Sequence, residues 1–191
     1  MKSLRTKRLV LRQWYMSDAD DLFAYAKNPL VGPAAGWRPH QLRKDSEDLI
    51  QKIFQQEYFH WALVIPGSGK VIGGINLTQD TKRNNPHART LGYSMNPEFW
   101  GNGYMTEAAK AVIAFGFESL NTAIVSVYHY PENSRSKRVI EKCGFTYEGT
   151  LRMCSELFNN RILDNLCYSM TSMEYRKLKQ DGRFQTSKEQ I

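Results

Sequence analysis

The hydrophobic and polar positions of this chain switch between a period of two and a period near 3.6, and the switches mark out its elements. Residues 6–15 (T-K-R-L-V-L-R-Q-W-Y) alternate, with Leu9, Leu11 and Gln13 on one side and Arg8, Val10 and Arg12 on the other, which predicts a first strand. Ser17-Asp18-Ala19-Asp20 has the form of a helix N-cap; the helix it opens carries Leu22, Phe23, Tyr25 and Ala26 and stops at Asn28-Pro29. Val31 to Arg38 is a Gly/Pro-rich loop holding Trp37, an aromatic that fits either a lid over a pocket or a local anchor. A second helix is predicted from about His40 to Glu57, with Leu42, Leu49, Ile50, Ile53 and Phe54 on one face. Strands over Phe59 to Ile65 and Lys70 to Thr78 follow, joined by Pro66-Gly67-Ser68-Gly69, and Asp80 to His87 is a polar loop.

Ala88 to Met95 is again β-prone and breaks at Asn96-Pro97. The chain then passes through Gly101 and Gly103 into a helix, Met105 to Leu120, whose Ala108, Ala109 and Gly116 allow close packing on a sheet. Thr122 to Tyr128 is β-branched, so strand, helix and strand form a crossover unit with parallel strands. Residues 131–136 open another helix, with Gly144 in the position that ends it. Phe145 to Leu157 and Asn160 to Met170 are two long strands, Met173 to Lys179 is a short helix, and Gln180 to Ile191 is a polar, frayed tail. With no repeat or linker, the pattern predicts one domain over residues 1–180 and a tail over 181–191.

The turn at Gly101 and Gly103 carries the first hint of chemistry. A strand, a glycine-bearing turn and a helix N-terminus in succession expose backbone N–H groups that have no partner inside the helix. The helix dipole adds partial positive charge there, which suits an anion such as a phosphate. Thr106 stands where a third Rossmann glycine would be, and no G-x-x-x-x-G-K-[ST] occurs, so dinucleotide and nucleoside triphosphatase fingerprints are absent. Alone, the glycine pair also fits a plain connector.

Composition narrows the classes. A length of 191 residues with 41% hydrophobic and 24% charged residues suits one globular domain. No apolar run approaches a membrane span and no signal-peptide core follows Met1, so a soluble, cytoplasmic protein is expected. Cys143, Cys154 and Cys167 show no C-x-x-C spacing; neither a disulfide framework nor a zinc site is indicated, and no metal is expected. The net charge of +7 favours acidic ligands: a polyphosphate cofactor, RNA or an acidic protein face. It is spread along the chain, apart from local clusters at Arg5, Lys7, Arg8 and Arg12 and at Arg135, Lys137 and Arg138, and reads as solvated surface rather than a nucleic-acid stripe.

The order of elements resembles the GNAT acetyltransferases. Residues 100–108 (W-G-N-G-Y-M-T-E-A) resemble the acetyl-CoA pyrophosphate loop of the RimJ/RimL type, and residues 133–145 (N-S-R-S-K-R-V-I-E-K-C-G-F) resemble that group's second motif, N-x-x-S ending in G-F. The resemblance spans roughly residues 6–173. It implies an α/β (α+β) acyl-CoA N-acyltransferase fold: a central mixed, mostly antiparallel seven-stranded sheet, about four flanking helices, and splayed parallel strands 4 and 5. It further implies that Met95 bonds the pantetheine arm, that the amides of Gly101, Asn102, Gly103, Tyr104, Met105 and Thr106 hold the pyrophosphate, and that Asn133 and Ser136 lie beside the arm and the thiol. Helix-capping and first-turn roles are the plainer readings of Asn133 and Ser136.

Transfer from a thioester to an amine by direct attack needs a neutral amine, support for the oxyanion and a proton for the thiolate. The Met95 N–H is the candidate oxyanion donor and Ser136 the candidate proton donor. Two positions depart from the wider superfamily. Thr90 replaces a frequent glutamate base, and Ile140 replaces a frequent tyrosine. The base is therefore unassigned, with Glu156, Tyr93 and His87 as distant partners through water. Asp164 lies in a segment resembling the RimJ/RimL hairpin N-G-x-x-x-D, with Asn160 in place of the glycine; it either attracts the amine or satisfies backbone groups. Tyr93, Glu156 and Asp164 are the candidate acceptor-side residues. The expected acceptor is a protein N-terminal α-amine, as on ribosomal proteins. The rivals are a small amine (antibiotic, polyamine or amino acid) and a non-catalytic CoA- or RNA-binding module. Neither a membrane nor direct nucleic-acid contact is expected, and the strand edges suit a homodimer.

Overall fold

The computed structural model describes residues 2–56 and 59–184. Glu57, the side chain of Phe54 and the tail from residue 185 lie outside the described residues. Eight strands among the described residues form one sheet: β1 (Leu4–Arg5), β2 (Val10–Gln13), β3 (His60–Val64), β4 (Val71–Gln79), β5 (Ala88–Met95), β6 (Ile124–His129), β7 (Thr146–Glu156) and β8 (Ile162–Thr171). The helices are α1 (Ala19–Ala26), α2 (Gly32–Ala35), α3 (Arg43–Gln56), α4 (Tyr104–Ser119), α5 (Ser134–Cys143) and α6 (Ser172–Gln180). The sheet order is β1-β2-β3-β4-β5-β6-β8-β7, parallel at β5–β6 and antiparallel elsewhere.

Several boundaries differ from expectation, each for a local reason. The first strand is a hairpin: Thr6 N–H donates to Leu9 O and Leu9 N–H to Thr6 Oγ1, folding Leu4–Arg5 back on Val10–Leu11. That turn accounts for eight strands rather than seven. The one-turn α2 inside the Gly/Pro loop is an addition to the expected helices, and with the expected short terminal helix, α6, the described residues hold six against the four or so flanking the sheet. Ser17 is not a cap. Residues 16–18 form a 3₁₀ turn, and the buried Asp18 carboxylate takes the Tyr15 N–H and the Arg12 guanidinium. α3 starts at Arg43 because the Asp45 carboxylate accepts the N–H groups of Gln41 and Leu42.

Period-two alternation sorts side chains onto two cores. Trp61 and Leu63 of β3 face a large cluster built on α4, with Ala108, Ala109, Val112 and Ile113 fully buried, while Ala62 and Val64 face a smaller one with Leu22, Tyr25 and Ile50 of α1 and α3. A Cβ at Gly116 would come within 2.9 Å of Leu77 Cδ2, so the glycine sets how closely α4 approaches the sheet.

Candidate active site

The sheet opens at its centre. The β5–β6 ladder ends where Thr90 faces Ser126, yet β6 stays paired with β8 through His129, so the two parallel strands part beyond that point. Asn96 N–H donates to Ile72 O at 2.8 Å. The alternation of an antiparallel ladder therefore turns the N–H groups of Met95 and Tyr93 away from β4 and toward the gap. The Met95 carbonyl accepts from the Trp100 indole N–H at 2.9 Å, which leaves the N–H as that residue's group for a ligand.

One end of the gap meets the N-terminus of α4. Gly103 is its N-cap at φ 77° and Gly101 sits at φ 81°, both left-handed, and these reversals aim the first amides of the helix outward. Arg8, from the β1–β2 turn, straps this loop from behind. Its guanidinium donates to Asn102 O at 2.9 Å and to the Glu107 carboxylate at 2.7 Å, and stacks 4.5 Å from the centre of the Tyr104 ring. Burial alone would raise the Glu107 pKa, but hydrogen bonds from Thr6 and Arg8 outweigh it and hold the carboxyl below its ordinary value. On the facing helix α5, Arg135, Arg138 and Lys142 recur at helical spacing and line the same cavity. None of the three makes an ion pair among the described residues, so a helix N-terminus and three cations border one cavity, a set of groups suited to phosphate.

The cavity measures about 1060 Å³ and runs through the gap from the α4 turn to the face covered by α1, α2 and α3. At its middle, Tyr93 OH lies 2.8 Å from Ser136 Oγ and 3.4 Å from Ser136 O. Burial drives the Tyr93 pKa far upward, so the phenol stays protonated and can donate to Ser136, whose own proton is then free for a third group. Asn133 caps α5 by accepting the Ser136 N–H at 3.0 Å, and its amide donates to Ala34 O at 3.0 Å, tying α5 to α2. The capping role is thus observed. Trp37 lines the cavity and packs on the smaller core.

Met95, Gly101, Gly103, Met105, Thr106, Asn133, Ser136 and Tyr93 all border this cavity, while Asn102 and Tyr104 face the Arg8 strap instead. Glu156, Asp164 and His87 are not brought to it. Glu156 is exposed at the end of β7, Asp164 accepts the Met153 N–H at 2.8 Å across a strand irregularity, and His87 borders a separate small hollow near Tyr175. Cys143 is buried, with its pKa pushed up to about 12 by burial, which makes it a poor nucleophile.

Sequence reasoning passed over two lining groups, Thr90 as a hydrogen-bonding group and His129. His129 Nδ1 lies 2.8 Å from Tyr130 O, which places a proton on that nitrogen and leaves Nε2 as the ring's other polar atom. That Nε2 and Thr90 Oγ1 are buried without a partner among the described residues. The only signal for His129 was its place at the end of a strand beside the second motif.

Comparison with known proteins converges on the same arrangement. Residues 8–146 match the family described as "Acetyltransferase (GNAT) domain". The chain is 28% identical over 179 residues to the uncharacterized N-acetyltransferase p20 of Bacillus licheniformis, covering 92% of this chain and 99% of that one. It is 30% identical over 159 residues to the ribosomal protein uS5-alanine N-acetyltransferase of Escherichia coli, covering 76% and 79%. A crystal structure of a GNAT-family acetyltransferase from Bacillus anthracis matches with a TM-score of 0.82 at 22% identity, over 91% of this chain and 100% of that one. A parted parallel pair, a helix N-terminus at its mouth and a family match over most of the chain lead to one conclusion: the chain belongs to the GNAT family of acetyl-CoA-dependent N-acetyltransferases.

Proposed function

We propose that the enzyme acetylates an α-amine, that of a protein N-terminus, by direct attack on the acetyl-CoA thioester. The observation that carries this reading is that, among the described residues, no Asp or Glu lines the cavity, and Thr90 stands where a base was sought. A lysine or polyamine ammonium, with a pKa of about 10.4, would meet no carboxylate there to take its proton. An α-amine, with a pKa near 8, is already about a tenth neutral at pH 7. Cations around the cavity push further in that direction, because like charge disfavours the ammonium. The similarity to the uS5-alanine N-acetyltransferase supports the same acceptor class.

In this reading the α4 amides with Arg135, Arg138 and Lys142 hold the diphosphate. The Met95 N–H receives the carbonyl oxygen as it gains negative charge. The amine nitrogen bonds to the acetyl carbon, the C–S bond breaks, and the Ser136 hydroxyl, oriented by its hydrogen bond with Tyr93, passes its proton to the departing sulfur and regains one from water. The amine proton leaves through water. Mass spectrometry of protein N-termini from cells with and without the gene tests the acceptor. Acetylation only of lysine or polyamine nitrogens by the purified enzyme would overturn the choice of an α-amine.

A further inference from the structure

The acceptor half of the cavity has an aromatic wall and a one-sided charge. Trp14, Tyr25, Trp37, Tyr128 and Tyr130 line it, with two exposed cations at its rim: Arg38, between α2 and α3, and Lys82, between β4 and β5. Both lean on the β7–β8 hairpin. The Arg38 guanidinium lies 5.8 Å from the centre of the Phe158 ring, and Lys82 Nζ is 3.3 Å from Cys154 Sγ and 5.2 Å from the centre of the Tyr128 ring. Neither makes an ion pair among the described residues. Asp80, the carboxylate nearest to Lys82 in the chain, is engaged by the Tyr128 hydroxyl at 2.9 Å, the Lys82 backbone N–H at 2.9 Å and Arg83 at 3.3 Å, and does not line the cavity. The unpartnered Thr90 Oγ1 adds a buried hydrogen-bonding atom to the same cavity.

Two uncompensated cations beside an apolar, aromatic wall repel a polycationic acceptor and form charge-assisted hydrogen bonds with an anionic one. Resting on the acetyl-transfer reading above, we infer that the acceptor is an amine that also carries a carboxylate on an apolar or aromatic body, with Arg38 and Lys82 holding the carboxylate and the amine directed at the β5–β6 gap. One chemistry has two sources: the α-carboxylate of a free amino acid, or an acidic side chain just after the N-terminal residue of a peptide.

Matched amines test this on the full-length protein. Phenylalanine, phenylalaninamide and phenethylamine form one set, and peptides beginning Ala-Glu-Glu or Ala-Lys-Lys form another. Binding to the CoA-saturated enzyme is read by calorimetry, and transfer by thiol release from acetyl-CoA. A carboxylate-bearing member should be favoured by about tenfold or more, the worth of a charge-assisted hydrogen bond. The set that shows the preference identifies the source. Arg38→Gln combined with Lys82→Gln should erase the preference and leave the acetyl-CoA KM unchanged. The inference is overturned if the acids are matched by their uncharged or lysine-rich counterparts in both sets, if the preference survives in the double variant, or if no carboxylate-bearing amine is bound. Failure of the acetyl-transfer reading itself looks different: no heat with acetyl-CoA and no thiol release with any amine.

Discussion

Replacing Ser136 with alanine separates chemistry from binding. Ser136 is 8% exposed and its Oγ sits 2.8 Å from Tyr93 OH, so the change removes a hydroxyl and one buried hydrogen bond. The Tyr93 phenol is not stranded, because Ser136 O is already within 3.4 Å; the fold should lose about 1 kcal/mol rather than the 2–3 kcal/mol of an orphaned group. The cap on α5 uses the Ser136 backbone N–H and survives, as does the cationic face of that helix. Affinity for acetyl-CoA should therefore change by less than about threefold, or ~0.7 kcal/mol. Turnover should fall further. General-acid assistance gives roughly 10²–10⁴-fold, and a thiolate with a pKa near 8.5 needs the least help, so about 10²-fold, or ~2.7 kcal/mol of barrier, is expected. Tyr93→Phe should cost about tenfold, and the double variant should be no slower than Ser136→Ala alone, because a donor relay acts as a unit. Thiol-release kinetics and calorimetry measure both quantities. A kcat loss under about threefold, equal losses in kcat and affinity, or multiplicative effects of the two changes would refute the relay.

Other perturbations probe the scaffold around the same site. Gly103→Ala places a Cβ only 3.6 Å from Arg8 Nη2, an ordinary contact, so its cost is the left-handed backbone, about 1–2 kcal/mol; acetyl-CoA affinity should weaken roughly tenfold, and an unchanged Kd would rule out a role for this turn. The Glu107 carboxyl titrates below its ordinary value in the folded protein, so the stability it adds is complete above about pH 4.3 and fades as pH falls through the folded value. Glu107→Gln should therefore lose less Tm than the parent between about pH 5 and 3, and parallel melting curves would contradict that. Asp18→Asn leaves Arg12, whose side chain is 19% exposed, without its doubly bonded partner and should cost about 3 kcal/mol in urea unfolding, whereas Arg43→Gln, facing an Asp20 side chain 75% exposed, should leave the urea midpoint nearly unchanged.

The parts of the molecule legible in the primary structure are those whose physics is local. The left-handed glycines before α4 follow from residue type and from the unsatisfied amides of a helix start, and the parallel β5–β6 pair follows from strand, helix and strand in succession. The Asn133 cap was readable for the same reason. Less was legible where partners come from afar or one residue changes a register. The β1 hairpin depends on a single Thr6–Leu9 turn, and β8 inserts between β6 and β7. The hairpin around Asp164 suggests either an acceptor role or a backbone one, and the irregularity between Leu151 and Ser155 decides for the second by leaving the Met153 N–H for its carboxylate to take.

Residue order alone therefore determined that this chain carries a strand–glycine turn–helix unit and a second capped helix after it, because backbone conformation and hydrogen-bond supply are settled within a few neighbours. Tertiary structure alone decided what surrounds that unit. It brought Tyr93 to Ser136 across 43 residues and Arg8 to Glu107 across 99, and it gathered aromatics and unpaired cations around one cavity while turning Glu156, Asp164 and His87 elsewhere. The reason is physical: the charge of a cavity and the pairing of its donors are sums over side chains contributed by distant strands, and those sums exist only once the sheet has closed around them.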